Sequence, residues 1–148
     1  MTKSCFIDTN VLLYAQDPKD PAKRAVAADW IGALAAREAL MINPQIIAEF
    51  CHVITRRFKT LAPARLRALV IDMQGWCAAP STYETAVFGL DIHFKTGYQA
   101  YDSFHLASAV FAGCGFFLSE DMQHGHEVEG LRIINPFKSN PSSVLAQN

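Results

Sequence analysis

The chain has 148 residues, 51% of them hydrophobic and 18% charged, and its 13 Lys+Arg against 14 Asp+Glu leave a formal net charge of -1. A chain of this length hides about two-thirds of its unfolded surface and so sustains a genuine core, while the apolar-leaning balance excludes extensive disorder and makes part of the surface a candidate interface. The near-neutral total gives no support for a globally basic nucleic-acid binder, so any basic surface has to be local.

The apolar run Cys5-Phe6-Ile7 stops at Asp8-Thr9-Asn10, which predicts a buried strand with Asp8 at its carboxyl tip. Asp20-Pro21 reads as an N-cap followed by a first-turn proline. Ala25, Val26, Trp30, Ile31 and Leu34 then recur at helical spacing up to a second strand at Ala39 to Ile42, a β-α-β opening. Asn43-Pro44 repeats the helix-start signal, and Ile46, Ile47, Phe50, Val53 and Ile54 form the stripe of a helix ending near Arg57. Pro63 opens another helix with Leu66, Leu69, Val70 and Met73 as its stripe. Trp76 to Ala79 is expected as an edge strand before Pro80. Ser81 or Thr82 caps the next helix, through Ala86, Val87, Leu90 and Phe94, and Gly97 stops it. A helix over Tyr101 to Ala112, a break at Gly113-Cys114-Gly115, a short strand Phe116-Phe117-Leu118 ending at Ser119-Glu120-Asp121, and a last strand Leu131 to Ile134 complete the pattern. Strands separated by helices imply an α/β fold, a three-layer α/β/α sandwich with a mainly parallel central sheet. One domain is expected over residues 1–138, with 139–148 a flexible tail.

Cys5, Cys51, Cys77 and Cys114 are scattered, contain no CxxC pair and read as buried free thiols of a reducing compartment. Asp8 interrupts what would have to be the apolar stretch of a secretory signal, and no apolar run reaches membrane-spanning length. A cytoplasmic protein without a membrane partner is expected.

In open α/β sheets ligands bind beyond the carboxyl ends of the strands, and Asp8 and Asp121 both fall there. On a helix of about 100° per residue Asp102 shares a face with His105, Leu106, Ala109 and Val110 and projects toward the buried side. Glu49 lies at the border between the apolar and polar faces of its helix, where it can join the other three. Acids that converge repel one another unless a divalent cation intervenes, and an all-oxygen set favours Mg²⁺ or Mn²⁺ over zinc. Such a cation activates water and neutralises phosphodiester charge, which suits hydrolysis of nucleic acid. Each acid also has a structural reading: Asp8 as a turn former, Glu49 as a surface charge, Asp102 and Asp121 as helix or turn caps. Their joint placement is what favours a site.

Four ordered segments carry a resemblance. Phe6-Ile7-Asp8-Thr9-Asn10-Val11-Leu12, Asn43-Pro44-Gln45-Ile46-Ile47-Ala48-Glu49-Phe50, Tyr101-Asp102-Ser103-Phe104-His105-Leu106-Ala107 and Leu118-Ser119-Glu120-Asp121-Met122 together resemble the motifs of PIN domains, including VapC-like toxins of toxin-antitoxin pairs, over roughly residues 4 to 137. The resemblance implies an endoribonuclease in which Asp8, Glu49, Asp102 and Asp121 hold one or two Mg²⁺ or Mn²⁺ ions and water attacks RNA. It also implies Asn10 as a residue supporting Asp8, Ser119 as a hydroxyl near metal or phosphate, a small antitoxin as partner, and a homodimer formed through an apolar face. The usual second acid and aromatic after the last motif are replaced by Met122-Gln123-His124. An inactive PIN-like RNA-binding scaffold is the alternative, and an acidic-pocket phosphotransfer module a more distant one, lacking a strand-end lysine or a DxDxT motif.

Arg56, Arg57, Lys59, Arg65 and Arg67 with Phe58 could track an RNA backbone or simply form a solvated helix end. His124-Gly125-His126 reads as a loop rather than a metal site, and His105 as a core histidine bonded to backbone, with pairing to Asp102 the other option. Trp30 and Trp76 are assigned to core or dimer surface.

Overall fold

Residues 3–146 are described by the computed structural model, and its sheet is organised around the short apolar strand β1 (Cys5–Ile7). β1 runs parallel to β2 (Leu40–Met41) on one side and to β3 (Phe116–Leu118) on the other, with Phe6 opposite both Met41 and Phe117. Beyond β3 lies β5 (Leu131–Ile134), again parallel, and β4 (Glu127–Val128) closes that edge antiparallel, giving the order β2-β1-β3-β5-β4. Every residue of β1 and β3 is buried because both faces of the sheet are covered, which is why these strands read as unbroken apolar runs.

Between β1 and β2 the chain forms α1 (Thr9–Tyr14) and α2 (Pro21–Ala36); between β2 and β3 it forms α3 (Pro44–Arg57), α4 (Pro63–Asp72), α5 (Tyr83–Thr96) and α6 (Ala100–Phe111). Leu12, Ile31, Phe50, Leu69 and Met73 meet in one apolar groove, so α1 to α4 pack together. α5 and α6 lie against each other and cover the opposite face, as right-handed crossovers running in opposite directions require. The fold is therefore the expected three-layer sandwich on a mainly parallel sheet. Because the chain leaves β1 toward β2 and later passes β1 to reach β3, the crevice at the carboxyl ends of β1 and β3 is the point where strand order reverses. No helix among the described residues is long and apolar enough to cross a membrane.

Several local expectations differ from what forms. Thr9–Tyr14 is helical, started by Asp8, whose side chain accepts the Thr9 N–H. Instead of an edge strand at Trp76 to Ala79 there is a 3₁₀ turn, Gln74–Trp76, and a lone parallel bridge from Ile42 to Cys77, with Pro80 ending any further pairing. α4 buries no residue completely, since Leu66, Leu69 and Val70 are only half covered. The β4–β5 hairpin was not anticipated; Glu129 (φ 51) and Gly130 (φ 86) both adopt the left-handed region that a two-residue hairpin turn demands. Cys5 and Cys114 are buried free thiols as expected, whereas Cys51 and Cys77 are half-exposed.

The expected frayed tail is in fact ordered into α7 (Pro141–Leu145), with Pro141, Val144 and Leu145 buried and packing against α2. Asn140 caps it by accepting the Ser143 N–H at 2.8 Å, and the Trp30 indole donates to the carbonyls of Pro136 and Ser139. Residues 147 and 148 of the expected tail lie outside the described residues.

Gly89 sets the spacing of the outer layer. A Cβ there would stand 2.8 Å from the Cα of Phe104, so α5 approaches α6 backbone to backbone. Gly89→Ala gains helix propensity of about 1 kcal/mol but forces the two helices apart, and overpacking of this kind costs about 1–3 kcal/mol. The expected outcome is a net loss of stability in urea unfolding; a midpoint equal to or above wild type would contradict the close approach.

Candidate active site

The four acids marked in the sequence come from four elements and line one cleft of about 550 Å³, together with Thr9, Asn10, Leu13, Gln45, His52 and Tyr101. Asp8, at the tip of β1, is only 4% exposed. Its Oδ1 accepts the Thr9 N–H at 2.8 Å and its Oδ2 accepts Ser119 Oγ at 2.9 Å, so β3 and α1 both grip it. Burial pushes its carboxyl above the ordinary value, against the pull of His105, Ser119 and Thr9. Asp8 is also the N-cap of α1, a structural role that coexists with its place in the cleft.

Asp121 stands past β3 and is solvent-exposed, held by Asn10 Nδ2 at 3.0 Å. The same amide reaches Ser119 Oγ at 3.2 Å and Asp8 Oδ2 at 3.4 Å, so Asn10 ties two acids and the hydroxyl together. Ser119 in turn accepts the backbone N–H of Asp121 at 3.2 Å. Beside this loop Lys23 Nζ pairs with the Glu120 carboxylate and bonds Tyr14 Oη at 3.3 Å, lying over the rings of Tyr14 and Phe137. That arrangement anchors the strand-end loop to α2.

Glu49 sits on α3 at the border of its apolar face, half-buried as its helical position implied. Thr9 Oγ1 donates to Oε2 at 2.7 Å, His105 Nε2 lies 3.0 Å from Oε1, and Gln45 Nε2 donates to Oε1 at 3.3 Å. Burial raises its carboxyl, but the hydrogen bonds of His105, Thr9 and Gln45 outweigh burial and leave it below the ordinary value. His105 is buried, as expected, but its partners are side chains rather than backbone: Glu49 and Asn43, not Asp102.

Asp102 lies in the first turn of α6 rather than at its cap, which is Gln99. It is half-buried, and its carboxylate has no hydrogen-bond partner among the described residues. Burial, followed by the charges of Asp8, Asp121 and Glu49, pushes it up to about 6. A half-buried acid with three further acids around it is the kind of perturbed group that functional clefts concentrate. One carboxylate oxygen each from Asp8 and Glu49 and a ring nitrogen of His105 lie within 4.8 Å of one another, close enough to share a cation.

Residues 5–126 match the family model described as PIN domain. The chain belongs to the PIN domain family. Its fold is also similar to one chain of a "Toxin-antitoxin complex from Klebsiella pneumoniae", with a TM-score of 0.62 and 13% identity, covering 90% of this chain and 98% of that one. Comparison with curated proteins gives no match. The cleft lined by the four acids picked out in the sequence lies within the matched PIN domain.

Thr9 and Asn43 were missed as site residues. Asn43 had been read only as a helix start, yet a cap at the carboxyl end of β2 necessarily faces the same end of the sheet as Asp8. His124 and His126 lie in the loop before β4, where His124 Nδ1 accepts the Asn135 N–H at 2.9 Å and His126 Nδ1 lies 2.6 Å from Tyr98 Oη.

The raised Asp102 carboxyl has a definite pH consequence. Since its folded value of about 6 exceeds the ordinary 3.8, ionising it costs the folded state; the cost grows as pH rises between these values and is complete above the higher one. Metal-free protein should therefore become more thermostable on acidification from neutrality toward about pH 5. Asp102→Asn should melt higher than wild type at neutral pH and lose much of this slope. Thermal melts in a chelator check both statements, and a variant no more stable than wild type at neutrality would refute them.

Proposed function

We propose that this PIN domain is a Mg²⁺- or Mn²⁺-dependent endoribonuclease and the toxin of a toxin-antitoxin pair. The observation that carries the reading is the convergence of Asp8, Glu49, Asp102 and Asp121 on one cleft, with Asp102 raised by burial and by the charges of the other three. The four acids fit a hard divalent ion: they offer carboxylate oxygens only, and their repulsion is what such an ion relieves. When bound, that ion supplies a water of lowered pKa and neutralises phosphodiester charge.

The chain's own residues perform the rest. Asp8, Glu49, Asp102 and Asp121 are the proposed ligands. Asn10 and Ser119 keep Asp8 and Asp121 apart at fixed orientation, and Thr9 holds Glu49. Past Asn10, Leu13, Val53 and Asp121 the cleft continues into a second one that ends at Arg57 and Phe58. That path suits a single strand of RNA, its backbone phosphate against Arg57 and a base against Phe58, with hydrolysis leaving a 5′-phosphate and a 3′-hydroxyl. Arg57 is the member of the basic stretch that borders the cleft.

The Klebsiella complex supports an antitoxin as partner, and a cytoplasmic setting accords with the free thiols. For the homodimer, the support is the outer face of α5. Tyr83, Val87, Leu90 and Phe94 are 80%, 47%, 44% and 74% exposed and recur at helical spacing. Glu84 lies at one end of that helix and His93 and Lys95 at the other, so an antiparallel copy brings unlike ends together.

Purified protein freed of antitoxin should cut RNA with Mg²⁺ or Mn²⁺ and stop in a chelator. Asp8→Asn should abolish cutting, and Asn10→Ala should reduce it about 10- to 100-fold, the usual loss when support for a metal ligand is removed. RNA binding without cleavage in wild type, across both metals, would replace the nuclease with the scaffold reading. Phe94→Glu should shift the protein to monomer in sedimentation, and an unchanged mass would move the interface elsewhere.

A further inference from the structure

The ring nitrogen of His105 that faces Glu49 looks at first like a further metal ligand. The hydrogen bonds behind it argue otherwise. Ser108 Oγ donates its one hydrogen to the carbonyl of Pro80, which can only accept. Toward Asn43, 3.0 Å away, Ser108 must therefore accept, so the Asn43 atom facing it is the NH₂ group. Independently, the other end of the Asn43 amide accepts the Ile46 N–H at 2.8 Å, as the cap of α3, and must be the oxygen. The amide is thus oriented twice over. Its second hydrogen points at His105 Nδ1, 3.2 Å away, which must be a bare, accepting nitrogen. A hydrogen on Nδ1 would face the amide donor to donor, which excludes the tautomer that carries its hydrogen there. The ring hydrogen consequently sits on Nε2, directed at Glu49 Oε1.

We propose that His105 is a positioning residue for Glu49, held in the Nε2–H form by Asn43, and not a ligand of the cation that the cleft takes. The inference rests on the proposed function insofar as Glu49 is treated as a metal ligand. The chain of bonds Pro80–Ser108–Asn43–His105–Glu49 crosses the interior from the loop before α5 to the cleft. It fixes one oxygen of Glu49, while Thr9 fixes the other, so the carboxylate has one orientation when a cation arrives. The ring lies against Phe6, 5.8 Å between centroids, which leaves it no room to turn.

Imidazole nitrogen NMR on the full chain tests the tautomer without any metal or RNA. His105 should show a protonated Nε2 and a bare Nδ1, and should keep both signatures when Mg²⁺ is added. Asn43→Ser, which preserves a good cap but removes the amide donor, should give a mixture of tautomers. A bare Nε2 in wild type, or loss of its hydrogen on adding Mg²⁺, overturns the proposal.

Mn²⁺ titration followed by electron paramagnetic resonance supplies the second readout. His105→Gln, whose amide can still donate toward Glu49, should bind Mn²⁺ within a few-fold of wild type, whereas His105→Leu should bind about 10- to 100-fold more weakly. Equal losses in both variants with wild-type melting temperatures would mark the ring as a ligand and overturn the positioning role. Absence of Mn²⁺ binding in wild type defeats the metal reading of the cleft and, with it, the purpose assigned to Glu49's orientation; the tautomer result tells that failure apart from an error in the hydrogen-bond chain.

Discussion

Repulsion among carboxylates is the constraint to which the rest of this molecule answers. Asp8, Glu49, Asp102 and Asp121 would separate if nothing held them, and instead Asp8, Glu49 and Asp102 stand on β1, α3 and α6 while Asn10 tethers Asp121 in the loop past β3, at the end of the sheet where strand order reverses. The burial of β1 and β3 on both faces supplies that rigidity. Hydrogen bonding then divides the acids into two kinds. Asp8 and Glu49 are each gripped at both oxygens, while Asp102 has no such partner and is pushed up to about 6. The gripped acids set the geometry, and both Asp8 and Asp102 are held above the ordinary carboxyl value, chiefly by burial.

Much of this arrangement was legible in the sequence because each element that positions an acid announces itself locally. Cys5-Phe6-Ile7 and Phe116-Phe117-Leu118 are apolar runs cut off by polar residues, which is how a strand buried on both faces meets a cleft. Asp20-Pro21 and Asn43-Pro44 start helices where the cap rules place them. The acids were found since strand tips and two helix faces sufficed to aim them.

What escaped notice depends on partners distant in the chain. The bond between His105 and Glu49 spans 56 positions, and helical spacing reveals only that the ring faces inward. Thr9 offers no local sign that its hydroxyl reaches across 40 positions to the same carboxylate. The Trp76 to Ala79 segment has strand-like residues, but β2 is too short to offer it more than one bridge. The C-terminal helix is a different kind of miss: Asn140-Pro141 carries the same start signal as Asn43-Pro44, and a polar composition around it obscured the buried Val144 and Leu145.

That last helix bears on where the folding unit ends. The family match stops at His126, yet a fragment cut there would lose β5, the strand that covers the outer edge of β3 and whose neighbouring loop carries Asn135 and Pro136. Cutting later, after Phe137, would still cost the Trp30 indole one of its two acceptors, the Ser139 carbonyl, and uncover the side of α2 on which Val144 and Leu145 rest. The autonomous unit therefore extends well past the segment that carries the recognisable motifs, and fusions or tags joined directly behind Leu145 press on a working part of the core.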